Sequence, residues 1–240
     1  MFNKNQITIT ILGICGFLVG MTILANSLVN FKKENSIAVT GSAKKTITSD
    51  VAKWSATINR KSDLYGLKSA NSALTADTEV VLSNLNKLGF EKQGIDLSAV
   101  NIANDYTYKD GSSSQTGFTL SRDITLTSNE ISKMPKLSDL VGELINQGVT
   151  MTNSRVEYYY SKLSELRVEM LGKATEDAKT RADMIAKSSK ASLGKLKSAS
   201  MGVMQITAPN STDLSGEGYY DTSSVEKEIT AIVRTNFELR

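Results

Sequence analysis

The stretch LSELRVEMLGKATEDAKTRADMIAKSSKAS, residues 163–192, is the longest uninterrupted helical pattern in the chain. Small and apolar residues recur in it at steps of three and four, which places them on one side of an α-helix. They are Leu163, Leu166, Met170, Ala174, Ala178, Ala182, Ile185 and Ser189. Thirty residues at ~1.5 Å each predict a helix roughly 45 Å long, which leaves room for a break at Gly172 or for a protruding end.

The two sides of this helix indicate what lies around it. The middle of the apolar stripe is alanine, so a partner surface can approach it closely. A sheet is the natural partner, because strand patterns flank the helix on both sides. The opposite side carries acid-before-base pairs four residues apart, such as Asp177 with Arg181 and Asp183 with Lys187. Such a face is typical of a solvated surface, and a partner surface is the alternative.

Alternating and helical patterns along the rest of the chain predict an α+β fold. It consists of mostly antiparallel sheets packed with helices, in the order ββαββαβαββ with one very long helix. The predicted strands cover residues 37–46, 51–61, 95–109, 115–128, 149–160, 195–207 and 225–239. The predicted helices cover residues 63–88, 132–147 and 163–192. A turn at residues 110–114 and a polar loop at residues 208–224 complete the chain.

Composition excludes several chemistries. The chain has 240 residues, a formal net charge of +3, no histidine and one cysteine, Cys15. Without a dense basic block, a nucleic-acid partner has no electrostatic support. Without histidine, Ser-His-Asp triads and histidine metal sites are excluded. Cys15 lies in an apolar stretch, so the folded part has no disulfide, cysteine zinc site or thiol nucleophile. We therefore predict no catalytic, cofactor-binding or metal-binding residues.

The N-terminal residues predict a membrane segment. Residues 7–29 are mostly apolar, a length close to that of a membrane span, and Ile7, Ile11, Phe17, Met21 and Val29 are representative. A cleaved signal peptide is the competing interpretation. We favour an uncleaved anchor, because Ile23 is a poor residue two positions before Ala25, one of two conceivable cleavage points. The predicted organisation is an anchor or signal segment at residues 1–33 and a folded domain at residues 34–240.

Tyrosines provide the candidate interaction residues. Alternation along the predicted strand 149–160 sends Tyr159 to the opposite face from Tyr158 and Tyr160. If both faces of the sheet are covered, one is core and the other is a candidate subunit contact, where tyrosine is enriched. Tyr219 and Tyr220 lie in the polar loop and are further candidates for a partner contact. Plain core with one exposed ring is the alternative for the strand, and a mobile loop is the alternative for Tyr219 and Tyr220.

Several stretches, taken in order, resemble one known family. They are the opening strand IAVTG at residues 37–41, Ser49-Asp50 before Val51-Ala52, the aromatic YYYSKL at residues 158–163, AKTRA at residues 178–182 with Leu193-Gly194, and the closing EITAIV at residues 228–233. Their order resembles the SIMPL-domain family, bacterial envelope proteins similar to YggE. Ser49 departs from the family pattern, which usually has proline there, so that turn is less rigid.

The resemblance implies an exported or membrane-anchored protein without established catalytic residues. Some members of the family form ring-like homo-oligomers, and some are associated with oxidative-stress tolerance. We therefore expect a non-enzymatic protein held by its N-terminal helix in the bacterial inner membrane, with the folded domain on the periplasmic side, that forms a homo-oligomer. A monomeric extracytoplasmic module that binds a small ligand or a protein is the alternative. A hydrolase that lacks histidine is a third hypothesis.

Overall fold

The computed structural model of the chain describes residues 16–25, 35–212 and 216–240. Residues 16–25 form helix α1. The other helices are α2 (Leu67–Lys87), α3 (Lys136–Asn146) and α4 (Leu163–Ser188). The strands are β1 (Ser36–Thr48), β2 (Val51–Asp63), β3 (Ile95–Leu97), β4 (Asn101–Lys109), β5 (Ser112–Ser128), β6 (Met151–Tyr159), β7 (Leu193–Met201), β8 (Gln205–Thr207) and β9 (Glu226–Leu239). These antiparallel sheets and helices confirm the predicted α+β class.

The predicted membrane segment overlaps the described residues only at α1. Phe17 and Met21 are exposed there, and Ile7, Ile11 and Val29 lie outside the described residues. Within the three ranges that the structure describes, no helix combines the length and the apolar character needed to cross a membrane. The anchor at residues 7–29 therefore stays a prediction.

The chain divides into two compact units. Among the described residues, unit 1 comprises 16–25, 35–43, 171–202 and 231–240, and unit 2 comprises 44–170, 203–212 and 216–230. Two sheets are present among the described residues. One has the order β1-β9-β7, with β8 also pairing β9, and the other has the order β3-β5-β2-β6, with β4 also pairing β5.

Strand β2 organises unit 2. Its even-numbered residues, from Ala52 through Trp54 to Ile58, are buried, and the odd-numbered residues between them are half-buried, as the alternation predicts. The buried residues join one core with Leu74 of α2 and Leu137 of α3, so both helices cover the same side of the five-stranded sheet. We call the opposite side, which carries the odd-numbered β2 residues, the outer face.

Two predicted strands are each divided in the structure. The predicted strand 95–109 is interrupted between β3 and β4, where the Ser98 hydroxyl donates to the Ala99 carbonyl and accepts the Asp123 N–H, 2.8 and 2.9 Å. Such side-chain bonds compete with ladder pairing. The predicted strand 195–207 is interrupted between β7 and β8, and it begins to break at Gly202, a residue that weakens strand interiors.

Turns and helix ends differ from the predicted bounds for local reasons. Asp110 and Gly111 both have positive φ, 52° and 77°, which makes a two-residue hairpin turn instead of the five-residue connection predicted. Helix α2 begins at Leu67 rather than residue 63, because the Asp63 carboxylate accepts the Tyr65 and Gly66 N–H groups in a turn. Helix α3 begins after Pro135 rather than at residue 132.

Helix α4 is continuous through Gly172 but ends at Ser188, four residues before the predicted end. In unit 1 the buried stripe of α4 consists of alanines. The stripe continues from Ala182 to Ala186, which is fully buried, and does not include Ile185, which is 50% exposed. The prediction for Ile185 was therefore wrong, because a step of four from Ala182 keeps the stripe turned inward.

Strand β1 meets the alanine stripe at Gly41. A Cβ atom added to Gly41 would lie 2.6 Å from Ala178 Cβ, and closer still to the Ala174 carbonyl oxygen and the Ala178 nitrogen. Real Cβ atoms essentially never approach so closely, so backbone would have to move. The Ser42 N–H also donates to the Asp177 carboxylate, 2.8 Å. The close approach predicted from the alanines is confirmed, with β1 as the partner.

Replacing Gly41 by alanine is expected to lower the free energy of unfolding by about 1–3 kcal/mol or more, because backbone atoms of α4 occupy the new methyl position. Gly172→Ala is the matched control, because it lies in α4 with nothing within 4 Å of an added Cβ. It is expected to raise stability by about 0.5–1 kcal/mol. Urea denaturation monitored by circular dichroism compares the two. If Gly41→Ala were as stable as the parent, the close approach would be contradicted.

Candidate functional site

Two of the predicted interaction tyrosines contact each other on the outer face of unit 2. The rings of Tyr159 and Tyr220 stack with centroids 6.1 Å apart and planes inclined by 22°. The Tyr220 hydroxyl also accepts the Tyr160 N–H, 3.2 Å. Tyr158 packs against the core of unit 2, so the predicted alternation of Tyr158 and Tyr159 holds. Burial and the nearby Glu157 carboxylate raise the pKa of Tyr159.

Tyr220 is held in place by the backbone around it. Tyr220 pairs with Ile206 of β8 in a parallel bridge, and the Asp221 N–H donates to the Ile206 carbonyl, 2.8 Å. The Tyr158 N–H donates to the Thr222 carbonyl, 2.7 Å. Tyr219 contributes its carbonyl to the Ile206 N–H and keeps its side chain 39% exposed. Residues 219–222 of the predicted polar loop are therefore tied to β8 and β6.

A fully buried lysine lies beside these tyrosines. Lys227 has no exposed surface, and its Nζ donates to the Ser224 carbonyl at 2.5 Å. The same atom lies 3.6 Å from Asp221 Oδ2 and 6.0 Å from the centre of the Tyr220 ring. Asp221 is 4% exposed and accepts the N–H and hydroxyl of both Ser223 and Ser224. A charged lysine is thus paired with a carboxylate that is itself well satisfied.

The pKa shifts of this pair have opposing causes. Burial lowers the pKa of Lys227, and the Asp221 charge opposes that shift only in part. Burial alone would raise the pKa of Asp221, but hydrogen bonds from Ser223, with the Lys227 charge and the Ser224 N–H, hold it below its usual value. The carboxylate is therefore stabilised in its charged form, and the ammonium depends on that carboxylate for compensation.

Sequence reasoning missed this pair, although one signal was present. Lys227 occupies the same side of β9 as Ile229, Ala231 and Val233, all buried. A lysine in register with an apolar face is either snorkelling to solvent or paired. Lys227 is paired, and its partner lies in a loop for which no periodicity could be read.

Asp50 ties the β1–β2 turn to the start of α4. Its carboxylate accepts the Ser161 N–H and hydroxyl, 2.7 and 2.6 Å, and its own N–H donates to the Tyr159 carbonyl, 3.0 Å. Burial opposes ionisation of Asp50, but the bonds from Ser161 outweigh it and lower the pKa of the carboxyl. Ser49, where the family usually has proline, donates its N–H to the Val225 carbonyl, 2.9 Å. Proline could not make that bond.

Two of the groups with perturbed ionisation, Lys227 and Asp221, are turned inward. Lys227 offers no surface to a substrate, and Asp221 is occupied by four donors. Across residues 16–25, 35–212 and 216–240, no group of three or more His, Cys, Asp or Glu could hold a metal ion. We interpret Lys227 and Asp221 as groups that hold the fold together.

An open groove of about 570 Å³ lies at the end of β2 in unit 2. It is lined by Asn59, Arg60, Lys61, Thr119, Thr150 and Thr152. No carboxylate lines it, and the two cationic side chains Arg60 and Lys61 lie beside threonine hydroxyls and the Asn59 amide, which can both donate and accept. The Arg60 guanidinium is engaged by the Asp77 carboxylate, which raises the pKa of Arg60, and the Thr119 hydroxyl donates to Asp105. Lys61, which is exposed, is then the cation available to a bound group.

Strand β4 leaves one edge of the five-stranded sheet open. Within the part of the chain that the structure describes, β4 pairs with β5 alone. Ile102, Tyr106 and Tyr108 on this strand are 50%, 52% and 80% exposed. An exposed edge strand with apolar side chains is a template for pairing with another chain. The sequence pattern predicted a strand over residues 95–109 but did not indicate that part of it lies at a sheet edge.

Comparison with known proteins gives one family. The family model described as SIMPL, a protein of unknown function (DUF541), matches residues 37–237. No curated protein matches the chain. The matched range begins at the second residue of β1 and ends two residues before the end of β9. It agrees with the resemblance read from the sequence motifs.

Replacing Asp221 by alanine is expected to lower the free energy of unfolding by about 3–5 kcal/mol, because Lys227 would stay buried without its carboxylate. Lys227→Met is the matched comparison. It keeps a long side chain in the core and leaves Asp221 with its serine donors, so it is expected to cost less. Urea denaturation of both variants tests the difference. Equal losses would show that the carboxylate is not what compensates the buried ammonium.

Proposed function

The chain belongs to the SIMPL family, and on that premise we propose that it is a non-enzymatic, membrane-anchored protein of the bacterial cell envelope that self-associates. Residues 1–33 would hold it in the inner membrane, and residues 34–240 would form the domain on the periplasmic side. An N-terminal apolar segment followed by a match to the family model over residues 37–237 supports this proposal.

The open edge of β4 is the observation that carries self-association. Eight of the nine side chains of the strand are exposed, and three of these are large and apolar. Natural proteins guard such edges with charges, proline, bulges or a covering element. Along β4 the only charged side chains are Asp105, which accepts the Thr119 hydroxyl, and Lys109 at the end of the strand. The register shift in the β4–β5 ladder has its extra residue, Thr116, on β5 and not on β4. A neighbouring subunit would supply the missing cover.

Three further observations support the proposed absence of catalysis and the proposed location. The sequence has no histidine, and Lys227, the lysine with the lowered pKa, is fully buried. The apolar residues 7–29 are long enough for one membrane span. A link to oxidative-stress tolerance rests on resemblance to other family members.

Replacing Ile102 by lysine is expected to weaken self-association by about tenfold or more, roughly 1.4 kcal/mol, because the charge would be desolvated in the contact. Sedimentation equilibrium of the full-length protein in density-matched detergent, over a range of concentrations, measures the change. Tyr65→Lys is the matched control, because Tyr65 is 95% exposed in the β2–α2 turn. It is expected to leave assembly unchanged. A parent protein that stays monomeric at every concentration would overturn the proposed self-association.

The alternative, a monomeric ligand-binding module, is favoured by the groove at the end of β2. Its volume falls in the range of small-molecule sites, and the exposed Lys61 in its lining fits an anionic group. Titration calorimetry with inorganic phosphate tests it, with Lys61→Gln as the variant expected to lose binding. Lys68→Gln is the control, since Lys68 is exposed on α2 and does not line the groove. If the parent protein gave no binding heat with phosphate, the proposal that the groove binds an anionic ligand would be contradicted.

A further inference from the structure

The apolar side chains of β4 lie on the side of the sheet that holds the core. Ile102 is opposite Leu120 of β5, and Leu120 is fully buried in that core. Alternation along β4 puts Asn104, Tyr106 and Tyr108 on the same side as Ile102. The β4–β5 pairing shifts register between Asp105 and Tyr106, and the extra residue lies on β5. The bend is therefore in β5, and the side chains of β4 continue to alternate between the two faces. The core side of the sheet therefore extends along β4 as a row that α2 and α3 leave exposed.

The backbone of β4 favours an added strand. In an antiparallel ladder, alternate residues direct their N–H and C=O groups to opposite sides of the strand. Half of these groups on β4 are directed toward β5. The other half are directed to the open edge, where the described residues place no strand. Pairing with an extended segment would satisfy these groups and cover the exposed row at the same time.

Self-pairing of β4 is favoured by its own sequence. When two antiparallel copies of β4 are related by a two-fold axis, the residue on the axis faces its own copy. A residue a given number of positions before the axis faces the residue the same number of positions after it in the other copy. With the axis at Asn104, Ile102 faces Tyr106 twice, and Ala103 faces Asp105. With the axis at Asp105, the two Asp105 carboxylates would face each other, which is destabilising. The Asn104 register overlaps residues 101–107 of both copies, covers Ile102 and opposes no like charges. An axis at Thr107 would place Asp105 opposite Lys109, but it would overlap only residues 105–109 and leave Ile102 uncovered.

We propose that a second copy of this chain binds along the open edge of β4, in antiparallel register with Asn104 facing Asn104 across a two-fold axis. The two five-stranded sheets then become one continuous sheet. Ile102 and Tyr106 of each copy pack against each other on the core side. This inference rests on the proposed self-association and names the surface and register that produce it.

Disulfide trapping tests the register in the full-length protein. Cys15 is the only cysteine, so Cys15→Ser gives a background without thiols. Directly opposed residues in an antiparallel pair have Cα atoms about 4.5–5.5 Å apart, which a disulfide can span. Asn104→Cys in this background is expected to double in mass on mild oxidation and to return to a monomer with reductant. Denaturing electrophoresis without and with reductant measures the change.

The control and a second trap make the result specific. Tyr65→Cys, at a 95% exposed position outside β4, is expected to give no covalent dimer under the same oxidation. A mixture of Ile102→Cys chains with Tyr106→Cys chains is expected to give the mixed dimer, since these residues face each other in the proposed register. This mixture tests the same register even if Asn104→Cys does not fold.

Each remaining outcome overturns a defined claim. Assembly seen by sedimentation without trapping at Asn104 or in the mixed pair would overturn β4 pairing and leave self-association standing. Stronger trapping of Asp105→Cys than of Asn104→Cys would overturn the register. Equal trapping at Tyr65 would show random collision and overturn the inference. A monomer by sedimentation would overturn both the inference and the proposed function.

Discussion

In unit 1, helix α4 approaches β1 to a distance that only a glycine opposite two alanines permits. Gly41 has no side chain, and Ala174 and Ala178 have the smallest that a helix of this length readily carries. Close approach lets Ala182 pack with Val39 and Phe237 in one small core, and the Thr235 hydroxyl there donates to the Val39 carbonyl. An extra methyl group at this point would separate the backbones and open that core.

Unit 2 depends on a different kind of contact. Its apolar core is built by β2, β5, α2 and α3. Polar groups from distant parts of the chain join its turns and fix the segment 219–224. Lys227 and Asp221 are buried together, and Asp50 and Ser161 join two turns. A buried ion pair is weak evidence for extra stability, since hydrophobic residues of similar volume often do as well. Our hypothesis is that this pair selects one position for the segment 219–224, because only one arrangement satisfies both charges.

The proposed assembly follows from what the fold leaves unsatisfied. A sheet that closes on itself has no edges, but the five-stranded sheet of unit 2 ends at β4 with apolar side chains and backbone groups exposed. A membrane anchor would strengthen the effect of such an edge. Copies held in one membrane meet at a higher effective concentration than copies free in solution, so a modest strand contact would be enough to assemble them.

The periodic elements of the protein were determined by the sequence itself, and its pairings were decided by the tertiary structure. Alternation in β2 and β9 and the alanine stripe of α4 could be read directly, because backbone geometry repeats every two residues in a strand and every 3.6 in a helix. The family motifs could be recognised for the same reason, because most of them lie on strands or helices with a periodic pattern. Strand and helix ends were less accurate where a serine or aspartate side chain bonded to its own backbone, as at Ser98 and Asp63.

For the candidate site, the tyrosines were identified but their partners were not. Tyr159 and Tyr220 were separate candidates in the sequence, and the structure stacks them because the segment after β8 returns along β6. Lys227 could have been noticed on the apolar side of β9, yet nothing local indicates Asp221 as its partner. Similarly, β4 was recognisable as a strand, but its position at an edge depends on which strands pair with β5. Local periodicity determines what each segment is, whereas contacts between distant segments decide which charges are compensated and which edge stays open.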